Sequence, residues 1–337
     1  RSYQYKDFLE SSGYEITIKP FFNDRYLIYL YSFGKRNFFL LVYLYLRRLI
    51  HLFQSNNYDL IWIEKELFPY MPRFMESILN ISKKPYILDY DDAIPHNYNQ
   101  SSNILVNIFL KNKLATLLKN ASTVMTGNKY LQTLCIEGGA SKVKIIPTVV
   151  DLERYKIVNN HQSELIKIGW IGTPNTSKYI NVIQNTLLNL KDKYNIELVV
   201  IGDEGFSIEG VKIKNIQWKE STEVSSLNAI DIGIMPLHKS LWENGKCGYK
   251  LIQYLALGKP VVATPVGVNI DIVDENVGFL ADNEYEWYVA LEKLIISKKL
   301  RYSMGKAGVD LVKNKYSKSI AEQKINNIII DAINDKK

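Results

Sequence analysis

Three stretches carry residues whose types and spacing suit chemistry. In the first, Gly245-Lys-Cys-Gly248 leads into residues 246–257, where Cys247, Leu251, Tyr254 and Leu255 fall at helical spacing and Gly258 is the stop. The first amides of such a helix have no intrahelical partner, and with the helix dipole they attract an anion such as phosphate. Lys246 and Lys250 stand one turn apart and add charge to one face. In the second, Gly172 ends an apolar run, and Thr173-Pro-Asn-Thr-Ser-Lys178 leads into helical spacing over 179–190. That repeats the order strand, turn, helix start: Gly172 would let backbone approach a ligand and Lys178 would meet its charge. Both have plainer readings, a core helix with two solvated lysines and a turn capped by Ser or Thr; the second lacks the full Gly-x-Gly-x-x-Gly pattern. In the third, Asp89, Asp91 and Asp92 close the run 84–92 at the strand end where ligands gather in parallel sheets. Asp89 and Asp91 share one side of an extended segment and Asp92 takes the other, so one would cap the next segment and another face a ligand. His96 lies just beyond; a lone histidine in a polar loop reads as ordinary surface, and it is left out of the catalytic set.

These stretches need a scaffold of alternating strands and helices. Apolar strand patterns recur at 14–19, 58–63, 84–92, 121–127, 144–147, 166–172, 197–202, 231–235 and 260–263, with a late turn and strand from 278. Helical spacing fills the gaps, at 2–11, 68–79, 103–119, 128–137, 179–190, 246–257, 284–297, 299–313 and 317–333. The alternation predicts two doubly wound parallel α/β sheets. The apolar-aromatic run 38–46 is too short and too interrupted to span a bilayer, which takes about 20 apolar residues. It reads as a buried helix whose Arg47 and Arg48 snorkel, with an interfacial membrane helix as the alternative.

Residues 246–267, KCGYKLIQYLALGKPVVATPVG, resemble the donor-site segment of glycosyltransferase family 4. Trp242 to Lys250 match a branch acting on bacterial surface polysaccharides, with its Trp-Glu-x-Gly-Lys-Cys-Gly-Tyr-Lys pattern. Asp89 to Ala93, Ile168 to Lys178 and the interdomain segment Thr148 to Tyr155 resemble the same branch. The resemblance implies the GT-B fold: two doubly wound Rossmann-like domains facing a central cleft. It implies transfer with retention from a nucleotide-sugar to a glycan or lipid-linked acceptor, of hexosyltransferase type, in polysaccharide biosynthesis. No metal or other cofactor is expected. Lys178 and Lys250 (or Lys246) would meet the diphosphate as catalytic groups. Gly172, Thr173, Trp218, Glu243, Lys246, Gly248 and Gln253 would line the donor, with Trp218 near the base. Gln253 stands where the family has its second glutamate and keeps an acceptor for a ribose hydroxyl. Gly245 stands where the first would be, and Glu243 would replace it. Asp91 and Asp92 fall on the acceptor side. A sugar epimerase of the same fold, a non-catalytic sugar-nucleotide-binding subunit, and a structural or membrane-adaptor role for the aromatic, basic first half are the alternatives.

The 337 residues, 47% of them hydrophobic, allow two domains and argue against disorder. Expected bounds are 1–158 for an acceptor domain, 159–316 for a nucleotide-sugar domain, and 317–337 for a helix crossing back to the first. The boundary is set in the polar stretch 159–163. Net charge is +7, and the excess lies early: residues 1–160 hold 20 Lys+Arg against 14 Asp+Glu. That hints at an anionic partner such as a membrane surface, by peripheral contact; nothing suggests nucleic acid. Cys135 and Cys247 fit a reducing, cytoplasmic setting, at most peripheral to the inner face of the plasma membrane. No Cys/His cluster has metal-ligand spacing. Because a Rossmann domain opens on a strand and this sequence opens on a helix at Arg1, a further strand and loop are expected before it.

Overall fold

A computed structural model describes residues 1–158 and 164–335. Contacts divide the chain into two compact units: Arg1–Ile146 with Glu322–Lys337, and Pro147–Ala321. The boundary set on sequence grounds falls in 159–163, outside the described residues. Residues 147–158 pack within the second unit, where Val150 pairs with Ser317 and Tyr155 bonds Glu223.

The first unit is built on a four-stranded parallel sheet in the order β1-β2-β3-β4: Ile61–Glu64, Tyr86–Tyr90, Thr123–Thr126 and Val143–Ile145. Every residue of β2 and β3 is buried, as expected for parallel strands covered on both faces. Asparagines start four of the helices. Asn23, Asn37, Asn103 and Asn128 each accept a backbone amide two or three residues on, which gives the abundant asparagine a structural use.

Several expectations fail in this unit; the helix read over 68–79, for one, begins only at Arg73 and runs on to Ser82. Residues 14–19 pair with no described strand, and Tyr14 donates its hydroxyl to Asn326 Oδ1 at 2.9 Å. The single helix read over 103–119 is two, Ile104–Leu110 and Ala115–Asn120, broken around Asn112 at φ +56°. The break carries Lys113 into the core, where its ammonium meets Glu66 at 2.6 Å and Glu76 at 3.1 Å. A buried carboxylate such as Glu76 must be paired, and that need outweighs helical continuity. The helix Phe38–Phe53 buries only part of its apolar residues, Leu44 and Leu52 among them, and does not snorkel its arginines. Arg47 donates inward to the carbonyls of Pro20 and Phe21, and burial pushes the Arg48 guanidinium down to about 10. Phe38, Phe39, Val42, Tyr43, Leu46, Ile50 and Phe53 face out.

The second unit holds a six-stranded parallel sheet in the order β10-β9-β8-β5-β6-β7. Its strands are β5 Ile166–Ile171, β6 Ile196–Ile201, β7 Ile213–Ile216, β8 Ile232–Met235, β9 Val261–Ala263 and β10 Gly278–Leu280. Alternation divides their side chains between two buried clusters. Ile168, Trp170, Leu198 and Val200 join one; Ile171, Val199 and Ile201 join the other. After β5 the chain winds outward through β6 and β7, then returns to place β8 on the other side of β5. The topological switch point of the sheet therefore lies between β5 and β8, and the crevice outside the carboxyl ends there is where such sheets bind ligands.

Candidate functional site

The β5–β8 ladder is short. Only Ile168↔Ile232 and Gly169↔Gly233 are in register, and beyond them the strands part. Tyr254 fills the gap. Its hydroxyl accepts from the Ile171 amide at 3.0 Å and lies 3.4 Å from the Ile234 carbonyl. The ring fits because position 233 has no side chain: a Cβ there would stand 2.3 Å from the Tyr254 ring. This pins the helix Tyr249–Ala256 against the sheet. One turn earlier on that helix, Lys250 then falls at the carboxyl end of β5.

Lys250 reaches over that end, from the side of Ile171 to the side of Trp170. Its ammonium sits 4.2 Å from the centre of the Trp170 ring. A Cβ on Gly172 would lie 2.5 Å from the same ring and 2.8 Å from the ammonium. What approaches Gly172 so closely is thus Trp170 and Lys250. Among the described residues Lys250 makes no ion pair. Burial, with Lys246 adding to it, pushes its ammonium down to about 7. A half-buried cation with no carboxylate beside it can be met by an anion from outside. Gly202 closes the same corner. At φ +99°, a Cβ on it would stand 2.0 Å from the Gly172 carbonyl oxygen and 3.5 Å from Cβ of Trp218.

The helix begins at Tyr249, so Lys246 precedes it and does not share its face as expected. Gly248 holds the start in the left-handed region at φ +66°, where a Cβ would also meet Ile272 at 2.4 Å. The second expected cradle starts at Pro174, where the helical turn Pro174–Ser177 runs on through Lys178–Ile183 into Gln184–Lys191; its cap is closed internally, the Thr173 amide donating to Thr176 Oγ1 at 3.2 Å. Thr173 and Lys178 are exposed, and no contact of Lys178 with a described residue ties it to Gly172 or Lys250.

Glu243 is buried on the short helix Leu241–Asn244 that precedes Tyr249–Ala256. Burial pushes its carboxyl up, but the hydroxyls of Ser240 and Tyr179 and the Lys246 charge hold it below the ordinary range. Gln253, Trp218 and Tyr155 form one network around a second carboxylate. Gln253 Nε2 donates to the Tyr155 hydroxyl at 2.7 Å, which donates to Glu223 at 2.8 Å. The Trp218 indole donates to the other oxygen of Glu223 at 2.8 Å and leaves the ring half exposed. The amide nitrogen of Gln253 is thereby engaged within the protein.

In the first unit, Asp89 is buried against Arg1 Nε at 2.8 Å, and burial, opposed by Arg1, pushes its carboxyl up to about 6. Asp91 and Asp92 are half-buried, with Lys65 Nζ 3.7 and 3.8 Å away. His96 is buried rather than on the surface: its ring nitrogen bonds the Tyr130 hydroxyl at 2.7 Å, and burial lowers its pKa. Among the described residues no three His, Cys, Asp or Glu side chains converge to hold a metal.

Sequence reasoning passed over Trp170, Tyr155, Glu223 and the bridging role of Tyr254. Trp170 was within reach, since it stands two residues before Gly172 on a strand and shares its face. Tyr155 and Glu223 come from remote segments, and nothing in their local spacing joins them.

Residues 165–297 match the family model described as glycosyl transferases group 1. The capsular polysaccharide biosynthesis glycosyltransferase CapM of Staphylococcus aureus is 28% identical over 197 residues, 51% of this chain. The match spans 50% of that protein's length. Among solved structures, HepE of Anabaena in complex with UDP-glucose superposes with a TM-score of 0.64 at 16% identity, covering 84% of this chain and 81% of that one. A glycosyltransferase from Rickettsia africae gives 0.63 at 14%, covering 88% and 82%. The fold is thus of the GT-B glycosyltransferase type, with two Rossmann-like α/β units, and the matched domain is the one that carries Lys250, Gly172 and Gln253.

Proposed function

We propose that this chain is a retaining glycosyltransferase that moves a sugar from a nucleotide-sugar to a glycan or lipid-linked acceptor in surface polysaccharide synthesis. The observation that carries the reading is Lys250: an ammonium without a carboxylate, held over Trp170 at the switch point of the domain that matches the glycosyltransferase model. The capsular relative of Staphylococcus aureus supports the polysaccharide setting, and the UDP-glucose complex of HepE supports a nucleotide-sugar donor.

On this reading the sugar–oxygen bond to the diphosphate breaks while a bond from sugar to acceptor oxygen forms. The nucleoside diphosphate leaves with the bonding pair, and its departing oxygen takes up the proton that the acceptor hydroxyl gives up. Lys250 meets the charge that develops on the leaving oxygen, and the free amides at the start of Tyr249–Ala256 add to it. Lys246 and Lys178 supply further positive charge, and Trp218 offers a half-exposed ring to the base. Asp91 and Asp92 serve the acceptor. The protein works in the cytoplasm without a divalent metal, with peripheral contact at the membrane.

The test is a thermal-shift panel of nucleoside diphosphates, followed by release of the selected diphosphate from its sugar conjugates in the presence of polysaccharide precursors. A rise in Tm with one diphosphate and acceptor-dependent release are expected. Failure of every diphosphate to bind overturns the reading. Interconversion of donor alone would identify an epimerase, and binding without release a non-catalytic subunit.

A further inference from the structure

The first unit carries its apolar surface where a soluble α/β unit carries charge. In the helix Phe38–Phe53 every exposed residue is apolar or aromatic; Phe39 is 84% exposed and Phe53 72%. In Ile104–Leu110 the exposed residues are Ile104, Leu105, Ile108 and Phe109, again without a polar group. The segment joining the two helices adds apolar surface beside the exposed Arg73. Tyr45 of the first bonds the Pro69 carbonyl, the Tyr70 amide donates to the Tyr98 hydroxyl, and Asn99 accepts from Asn107 of the second. Along that segment Tyr70 and Phe74 are exposed.

Charge around this surface has one sign. Residues 25–58, which contain the first helix, hold five Lys and Arg and no Asp or Glu, of which Arg47 and Arg48 turn inward; residues 93–136, which contain the second, hold four Lys and no Asp or Glu, of which Lys113 is buried against Glu66 and Glu76. Lys35 and Arg36 are exposed immediately before Phe38, and Lys111 is exposed directly after Leu110. Apolar and aromatic side chains beside exposed cations such as Lys35, Arg36 and Lys111 are what a helix needs to lie in the headgroup layer of an anionic bilayer. A self-associating face of this size would set these cations against copies of themselves. No helix among the described residues is long and apolar enough to cross a membrane.

We infer that the exposed faces of Phe38–Phe53 and Ile104–Leu110 dock on an anionic lipid surface, with Lys35, Arg36 and Lys111 meeting the headgroups. This names the surface and the lipid charge behind the peripheral contact proposed above. It is read without donor or acceptor, so its failure and the failure of the transfer reading are separate results.

The full chain is floated with vesicles of phosphatidylcholine alone and with about a third phosphatidylglycerol, at low and high salt. Binding to the anionic vesicles is expected to exceed binding to neutral ones by about tenfold and to weaken with salt. Phe38→Ser with Phe39→Ser is expected to lower it about tenfold or more, with Tm unchanged because both rings are already in solvent. Lys35→Glu with Arg36→Glu leaves the apolar face intact and is expected to remove the preference for anionic lipid. Absence of vesicle binding by the parent chain overturns the inference, as does binding indifferent to both variant pairs. So does a dimer in sedimentation that Phe38→Ser and Phe39→Ser dissolve while no lipid is bound, since the face would then belong to a second copy.

Discussion

The Tyr254 hydroxyl accepts the Ile171 amide where β5 has left its neighbour β8, and so one side chain closes the gap that creates the candidate site. The bond has two consequences. It satisfies a buried amide that the parted ladder would leave unpaired, and it fixes where Lys250 falls one turn earlier. Tyr254→Phe keeps the ring and removes the bond. It is expected to cost about 1–3 kcal/mol in urea unfolding. It should also weaken nucleoside diphosphate binding, measured by calorimetry, because the helix loses its tie to β5. Unchanged stability would mean that the Ile171 amide finds another acceptor.

Lys250 ties the site to pH. Its ammonium loses its proton near 7 in the folded chain and at about 10.4 when unfolded. Between those values the unfolded chain holds the extra proton, so this group makes stability rise with pH and weighs against folding most below 7. Diphosphate binding runs the other way. The anion needs the charged form, so affinity is full below about 7 and falls as pH rises through it. Lys250→Arg, charged throughout, is expected to flatten that fall between about pH 6 and pH 9 in calorimetric titrations. Lys250→Met is expected to lower turnover by about 10²–10³-fold with Tm equal or higher. A parallel fall with pH in parent and Arg variant would remove Lys250 from the diphosphate.

Much of the second unit was legible because buried parallel strands are short apolar runs, and 166–172, 197–202, 231–235 and 260–263 sit within a residue or two of β5, β6, β8 and β9. The corner they build was half legible. Gly172 and Lys250 were singled out from turn and helix chemistry, and they do meet. The helix start was misplaced by three residues, since helical spacing at Cys247 carried no sign of the left-handed turn at Gly248. The first unit was harder. Periodicity marks an apolar face without saying which side of a helix meets solvent. In Phe38–Phe53 the inner side is held partly by Arg47 on backbone carbonyls, a partnership between residues 26 and 27 apart. Lys113 likewise breaks a well-spaced helix for the sake of Glu66 and Glu76, which lie far off in sequence.

Two glycines at the corner differ in what they tolerate. Gly172→Ala drives a methyl to 2.5 Å from the buried Trp170 ring, and the flexible Lys250 must also move. An overpacking cost of about 1–3 kcal/mol is expected. Gly202→Ala meets backbone instead, the Gly172 carbonyl at 2.0 Å, and does so at φ +99°. Neither a carbonyl held in the sheet end nor that conformation yields easily, so Gly202→Ala should be the more destabilising of the pair in thermal melts. The reverse order would show that the strand ends are looser than their geometry.

Gln253 offers a test of the substitution that sets this chain apart from the glutamate expected of the family it resembles. Its amide nitrogen donates to Tyr155, whose single hydroxyl proton goes on to Glu223. With Gln253→Glu the donor becomes a second acceptor, and one phenol proton must serve two carboxylates in a buried place. A loss of about 1–3 kcal/mol is expected at neutral pH. Burial and the nearby Glu223 charge would raise the new carboxyl above its unfolded value. The loss should therefore be smallest at acid pH, where the group is protonated and can donate, and should grow as pH rises through that raised value. Adding Glu223→Gln removes the competing charge and supplies a neutral acceptor for Tyr155, while it gives up the Arg154 ion pair with Glu223 at 3.3 Å. The double variant should then lose less stability in urea unfolding than the sum of the two single losses, which independent sites would not do. Additive losses in the double variant would mean that the phenol does not couple the two positions, and that Gln253 is free to turn its amide toward a ligand.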